Sequence, residues 1–173
     1  MTDWLTIQWP PRRDRGNEPP EGFDDEPNGL WIQREHGPVA DLVRAGDRVF
    51  VYETRTGPAL RQDGRVYSCV RGRQGVIAVG HVGRVRQQTV DLQEYATGTR
   101  SVRRWSFRAP FKNGLDMEGF VPRRKLNHLL GYKARYLFRG FGLDRSGTGR
   151  LSPESASGIQ REFDTNRRRE RVF

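Results

Sequence analysis

The chain has one cysteine among 173 residues, three lysines among its 31 basic residues, and no long apolar run. The single cysteine, Cys69, excludes an intrachain disulfide and a cysteine-built zinc site, and it suits a reducing compartment. No apolar stretch approaches the roughly 20 residues that span a membrane. The N-terminus also lacks the basic-then-apolar pattern of a signal peptide. We therefore expect a cytoplasmic protein without membrane contacts.

The chain also lacks the residue patterns that catalysis requires. It has three histidines in unrelated contexts and neither a Gly-x-Ser-x-Gly nor a His-Glu-x-x-His motif. We interpret Cys69 as a free thiol rather than a nucleophile, the glycine-rich segment 140–149 as a turn, and the acidic pair Asp116 and Glu118 as part of a solvated loop. The sequence therefore predicts no catalytic residue, metal or cofactor. A small nuclease or hydrolase remains the enzymatic alternative.

Positive charge is concentrated in the later part of the chain. Residues 1–46 hold nine acidic and five basic residues, whereas residues 47–173 hold the remaining 12 acidic and 26 basic residues of a chain with net charge +10. Such asymmetry is typical of a protein that binds a polyanion. A general preference for arginine is the alternative explanation. Arginine binds phosphates and guanine edges bidentately, which favours nucleic acid as the partner.

Short β-type segments alternate with short helical ones, which predicts an α+β fold around a small bent β-barrel with short peripheral helices. We expect strands near residues 4–9, 29–33, 47–53, 75–85, 89–93, 102–111 and 134–141, and helices near 38–45, from 121, and from 152 to about 163. Residues 12–28 and 54–74 are predicted loops. The length fits one domain, residues 1–165, followed by a frayed basic tail, residues 166–173.

Aromatic residues alternate with arginines in the β segments. Trp31 lies near Arg34, Tyr52 near Arg55, and Trp105 between Arg104 and Arg108. Aromatic faces stack on unpaired bases while guanidinium groups contact phosphates, so this mixture favours recognition of an unstacked base. The alternative is that these aromatics belong to the core of a small barrel.

Several motifs resemble the EVE domains of the PUA-like superfamily. The quoted segments are Trp4-Leu5, Gly29-Leu30-Trp31, the strand from Gly46 to Tyr52, Thr56-Gly57-Pro58, and the strand from Gly75 to Val82. The resemblance covers about residues 3–85. The chain departs from the family in the arginine-rich insertion within 54–74 and in its longer acidic loop, 12–28.

The resemblance implies a pseudo-barrel with a pocket for a chemically modified base, as in the DNA sensors of restriction-like defence systems, whose nuclease or other effector is a separate partner. The expected base-binding residues are Trp31, Tyr52, Glu53, Thr54 and Trp105. The expected phosphate-binding residues are Arg55, Arg71, Arg73, Arg103, Arg104 and Arg108. The ligand is DNA or RNA; an RNA-binding module for tRNA or rRNA is the first alternative.

Overall fold

The structure is a computed structural model, and it describes residues 1–23, 25–33, 37–91, 104–131 and 148–170. The strands are β1 (Asp3–Gln8), β2 (Arg12–Arg13), β3 (Gly29–Gln33), β4 (Arg48–Glu53), β5 (Leu60–Gln62), β6 (Arg65–Cys69), β7 (Gly75–Val82), β8 (Arg86–Asp91), β9 (Arg104–Asp116), β10 (Val121–Pro122) and β11 (Thr148–Arg150). The helices are α1 (Gly37–Leu42), α2 (Arg123–Leu130) and α3 (Pro153–Glu170).

The main sheet has the strand order β11-β1-β4-β7-β9-β3, with β10 added to β7 and β8 added to β9. All pairs are antiparallel except β1 and β4. The long strand β9 changes partners along its length: its first half lies between β3 and β8, and its second half pairs with β7. The result is a curled, half-barrel sheet in a mixed α+β fold.

Two apolar cores lie on opposite faces of the central strands. In β4, Phe50 and Tyr52 pack with α2 and α3, whereas Val49 and Val51 pack inside the curl with β3, β9 and α1. The alternation follows from the period of two in a strand. Burial on both faces explains why β4 and β7 consist almost entirely of apolar residues.

Most of the predicted elements that fall on described residues are confirmed. The strands β1, β3, β4, β7, β8 and β9 and the three helices lie close to their expected positions. Ser152 caps α3 as its sequence predicts, because its Oγ accepts a hydrogen bond from the Ser155 amide at 3.1 Å. The strand expected over 134–141 lies outside the described residues. Among the described helices, none combines the length and the apolar composition that crossing a membrane requires.

The prediction that residues 54–74 form a loop is wrong for their central part. Strands β5 and β6 form a hairpin there, and β6 also pairs with β2, which lies in the other predicted loop. The turn residues Asp63 and Gly64 have φ values of 50° and 75°. Two successive positive φ angles are typical of the tight hairpin turn that Asp-Gly sequences favour. That dipeptide was the signal for the hairpin.

The C-terminal segment also differs from its prediction, because α3 continues past Phe163 and through the expected domain end at residue 165 to Glu170. The Asn166 side chain donates a hydrogen bond to the Phe120 carbonyl oxygen, and Arg167 forms an ion pair with Asp116. These contacts attach the helix to the segment between β9 and β10. Residues 166 and 167 therefore belong to a packed helix rather than a frayed tail.

Asp47 is a buried carboxylate that joins β1, β4 and the end of the α1 segment. Its Oδ1 accepts a hydrogen bond from the Thr2 amide at 2.7 Å, and its Oδ2 accepts bonds from the Arg44 amide at 2.9 Å and the Trp4 indole at 3.0 Å. Burial raises the pKa of the Asp47 carboxyl group, but the hydrogen bonds outweigh burial, and the net pKa lies below its usual range.

We expect Asp47→Asn to lower the free energy of unfolding by about 2 kcal/mol at neutral pH, because the amide group faces a buried N–H donor where the carboxylate accepted one. The pKa of Asp47 is lower in the folded state than in the unfolded state. The carboxylate therefore stabilises the fold at pH values above the unfolded-state pKa, and this stabilisation is lost as the pH falls through the folded-state pKa. In urea titrations, the difference in the free energy of unfolding between Asp47→Asn and the native chain should therefore shrink below about pH 4. Asp41→Asn, an exposed change nearby, is the control; a constant difference at all pH values contradicts the argument.

Candidate nucleic-acid interface

The site residues expected from the sequence lie at two separate parts of the sheet. Tyr52 pairs with Val76 near the start of β7, whereas β9 meets the other end of β7 where Val82 pairs with Phe111. Six residues of extended strand, about 20 Å, separate these two positions. Trp31 and Arg108 pair with each other beyond the second position. A single pocket does not combine Tyr52 with Trp31.

Tyr52 is a core residue. Its side chain is 1% exposed and packs in the core between the sheet and helices α2 and α3. Burial raises the pKa of its hydroxyl group, and the charge of Arg123 lowers it in part. The assignment of Tyr52 to a base-binding pocket is therefore corrected, since a ring enclosed by apolar side chains presents no face on which a base can stack.

Trp31 lies on the outer face of the sheet. Its neighbours Leu30 and Ile32 are buried inside the curl, so the intervening side chain points away from the core. The Trp31 indole N–H donates a hydrogen bond to the Asn28 side-chain oxygen at 3.0 Å, and the Arg108 guanidinium carbon lies 4.9 Å from the ring centroid. Trp31 is half-buried beneath this cation–π contact, and its ring is held in one orientation.

The Arg108 guanidinium contacts both Asn28 and Trp31, but one of its buried N–H groups lacks a hydrogen-bond partner among the described residues. Its Nη2 donates a hydrogen bond to the Asn28 carbonyl oxygen at 3.1 Å, while its buried Nε has no hydrogen-bond partner among the described residues. Asn28 therefore positions both members of the Trp31–Arg108 pair. The sequence singled out Trp31 and Arg108 but not Asn28, whose position before β3 carries no signal of its own.

A second arginine lies directly opposite Arg108. Arg86 in β8 pairs with Arg108 in β9, which pairs on its other side with Trp31 in β3, so the three residues form one row across the outer face. Directly opposite side chains lie about 5 Å apart at Cβ. Arg86 is exposed, and neither arginine forms an ion pair within the described part of the chain. We call β3, β8 and residues 104–110 of β9, with this row, the wing.

The same outer face continues along β9 to Lys112. Phe107, Ala109 and Phe111 pack toward the core inside the curl, so the alternate residues Arg108 and Lys112 point outward. Lys112 is exposed and pairs with the exposed His81 of β7. Arg86 and Lys112 carry no signal of their own in the sequence; only their alternation with the core positions of β9 and its neighbour could have indicated them.

The other expected residues lie together at the carboxyl end of β4. The Gly72 amide donates a hydrogen bond to the Arg55 carbonyl oxygen at 2.8 Å, and the Arg73 amide donates one to the buried Glu53 carboxylate at 2.7 Å. Glu53 is thus a structural acceptor. The Thr54 hydroxyl group donates to the Thr56 carbonyl oxygen at 2.7 Å. We call Arg55, Arg71 and Arg73, whose side chains are exposed, the β4-end cluster.

The remaining expected residues are described in part or not at all. The backbone of Trp105 lies in β9, where it pairs with Gln33 and Val90, and the backbone of Arg104 pairs with Asp91. Arg103 lies outside the described residues. These positions place Trp105 and Arg104 on the wing and away from the β4-end cluster.

Three residues considered for chemistry, Asp116, Glu118 and Cys69, have surroundings that explain them structurally. Asp116 and Glu118 both form ion pairs with Arg167 of α3. Burial raises the pKa of the Cys69 thiol, although the charge of Arg12 lowers it in part, so the net effect disfavours the nucleophilic thiolate. Within the ranges that the structure describes, no three His, Cys, Asp or Glu residues are grouped closely enough to hold a metal ion.

Compared with known proteins, the chain matches no protein-family model and no curated protein sequence. The similarity to EVE domains therefore rests on the short motifs quoted above.

Proposed function

We propose that the protein binds nucleic acid through the outer face of the wing. Arg86 and Arg108 contact the phosphates, and Trp31 contacts an unstacked base. The observation that carries the proposal is the row of Trp31, Arg108 and Arg86 across three adjacent strands. Lys112 extends the positive surface along β9.

Arg86 and Arg108 carry like charges at directly opposite positions of β8 and β9. Like charges directly opposite each other destabilise a sheet, and no carboxylate among the described residues neutralises this pair. A polyanion with closely spaced phosphates relieves the repulsion and gains the entropy of released counterions. The rigid, partly exposed Trp31 ring beside the pair adds a stacking surface that accepts any base.

The finer proposal, from the resemblance, is a PUA-like domain that prefers a chemically modified base and reports it to a separate effector protein. Oligonucleotides that differ only in 5-methyl- or 5-hydroxymethylcytosine test this preference, and RNA of the same sequence tests the alternative ligand. A preference for one modified probe that survives high salt supports a base-reading site, because screening weakens phosphate contacts far more than stacking and hydrogen bonds.

We expect the double variant Arg86→Ala with Lys112→Ala to bind single-stranded oligonucleotides about tenfold more weakly at low salt. Removing two phosphate contacts should also reduce the slope of log K against log salt concentration by about 1.4. Fluorescence anisotropy at several salt concentrations measures both quantities.

The matched control is the double variant Arg150→Ala with Arg161→Ala. Both arginines are exposed, lie on β11 and α3 rather than on the wing, and have no ion pair within the described ranges. The control removes the same net charge. If the two double variants weaken binding equally, the affinity reflects overall charge and the wing is not the interface.

A further inference from the structure

The β4-end cluster is a second positive surface, separate from the wing. Arg55, Arg71 and Arg73 are exposed, and none of them forms an ion pair within the described part of the chain. The backbone bonds Gly72 to Arg55 and Arg73 to Glu53 hold the two chain segments side by side. Three exposed arginines therefore lie on two adjacent chain segments, and the carboxylate beside them, that of Glu53, is buried and accepts its hydrogen bond from the Arg73 backbone amide.

One of these guanidinium groups is ordered before any ligand binds. The Arg73 guanidinium carbon lies 4.2 Å from the centroid of the Phe120 ring, so the group is held against the aromatic face. The position of Phe120 is itself fixed, because β10, which follows it, pairs with the first residues of β7. A held guanidinium presents its N–H edges outward, and phosphate binding then costs less side-chain entropy.

Within the residues that the structure describes, no exposed path across the central sheet joins the cluster to the wing. The end of β7 beside the cluster and the end beside the wing lie about 20 Å apart along the strand. All of its side chains except that of His81 are buried, and those of β4 between Val49 and Glu53 are buried as well. A nucleic acid that lies on the wing cannot follow these strands to the cluster.

The route along the chain from β9 to Phe120 is interrupted by negative charge. Between Lys112 on the outer face and Phe120 beneath Arg73 lie Asp116 and Glu118, and Glu118 is exposed. Arg167 pairs with these carboxylates and so reduces their repulsion of phosphate without making the segment positive. Along this described segment, negative charge therefore separates the two arginine surfaces.

We propose that the β4-end cluster is an independent phosphate-binding site, and that one protein molecule holds two separate segments of nucleic acid, one on the wing and one on this cluster. The proposal rests on the proposed function, because it assigns the same class of ligand to the second surface. Binding of two segments gives the protein a bridging activity that a single base-reading surface lacks.

The test measures how many oligonucleotides one protein binds. Oligothymidylate of about six nucleotides, near the smaller site sizes of single-strand-binding surfaces, is titrated to saturation at low salt and followed by calorimetry and native mass spectrometry. We expect two oligonucleotides per protein. The triple variant Arg55→Ala, Arg71→Ala, Arg73→Ala should bind one, with the affinity of the wing changed by less than about twofold.

Two further variants make the result specific. Arg86→Ala with Lys112→Ala should still bind two oligonucleotides, one of them about tenfold more weakly than the native chain does, and the charge-matched triple variant Arg61→Ala, Arg150→Ala, Arg161→Ala should bind two as the native chain does. One oligonucleotide per native protein, with both surfaces needed for it, overturns the two-site proposal but supports the proposed function. One oligonucleotide bound with no effect of the cluster variant also overturns the two-site proposal, and no binding at all removes both proposals.

Discussion

Gly72→Ala should lower the free energy of unfolding by about 3 kcal/mol or more, the largest effect that we expect from a methyl group added at any glycine that the structure describes. A Cβ atom at residue 72 would lie 1.8 Å from the Thr54 carbonyl oxygen and 2.5 Å from Cγ of Pro10. The first of these is backbone, which cannot rotate aside. The Gly72 amide also donates to the Arg55 carbonyl oxygen, so the segment cannot retreat without losing that bond. Urea unfolding monitored by tryptophan fluorescence measures the change.

Gly16→Ala is the matched control, because a Cβ atom there meets only the Asp14 side chain at an ordinary distance of 3.4 Å. Its stability should stay within about 0.5 kcal/mol of the native chain. If Gly72→Ala is equally mild, the close approach of the loop to Thr54 and Pro10 is incorrect. The arrangement of the β4-end cluster would then be incorrect as well, since the same approach brings Arg71 and Arg73 to Arg55.

The elements that were predictable from the sequence are those with a strong local signal. The apolar runs of β4 and β7 indicate strands buried on both faces, and the Ser152-Pro153-Glu154 sequence indicates the start of α3. The aromatic and arginine alternation singled out Trp31 and Arg108, which the structure places in contact. Each of these signals operates within a few residues of the chain.

The arrangement of the candidate site was not predictable, because it depends on strand pairing between distant segments. Tyr52 and Trp31 both follow apolar residues in β segments, and no local feature distinguishes the buried ring from the half-buried one. Their separation arises because β9 bends away from β7 to pair with β3. Arg86 was missed for the same reason, since only the register between β8 and β9 brings it to Arg108.

Trp31→Ala should weaken binding of single-stranded nucleic acid by about 30-fold. The loss of one base–aromatic stack is worth about 1 to 3 kcal/mol. The substitution also removes the surface against which Arg108 is held, so the guanidinium becomes mobile as well. Because Trp31 is half-buried on the outer face and outside both cores, we expect stability to fall by only about 1 to 2 kcal/mol. Anisotropy titrations measure the affinity, and urea unfolding measures the stability.

Two variants separate stacking from a structural role of the indole. Trp31→Phe loses the hydrogen bond to Asn28 but keeps an aromatic face, so it should bind within about fivefold of the native chain. Trp9→Ala removes a second half-buried tryptophan whose ring also contacts an arginine. The guanidinium carbon of Arg12 lies 5.0 Å from the Trp9 ring centroid. Since Trp9 follows β1 and lies outside the wing, its loss should leave binding at the wing nearly unchanged. If Trp31→Ala unfolds the chain, or if both alanine variants weaken binding alike, Trp31 serves the fold and the wing does not stack on a base.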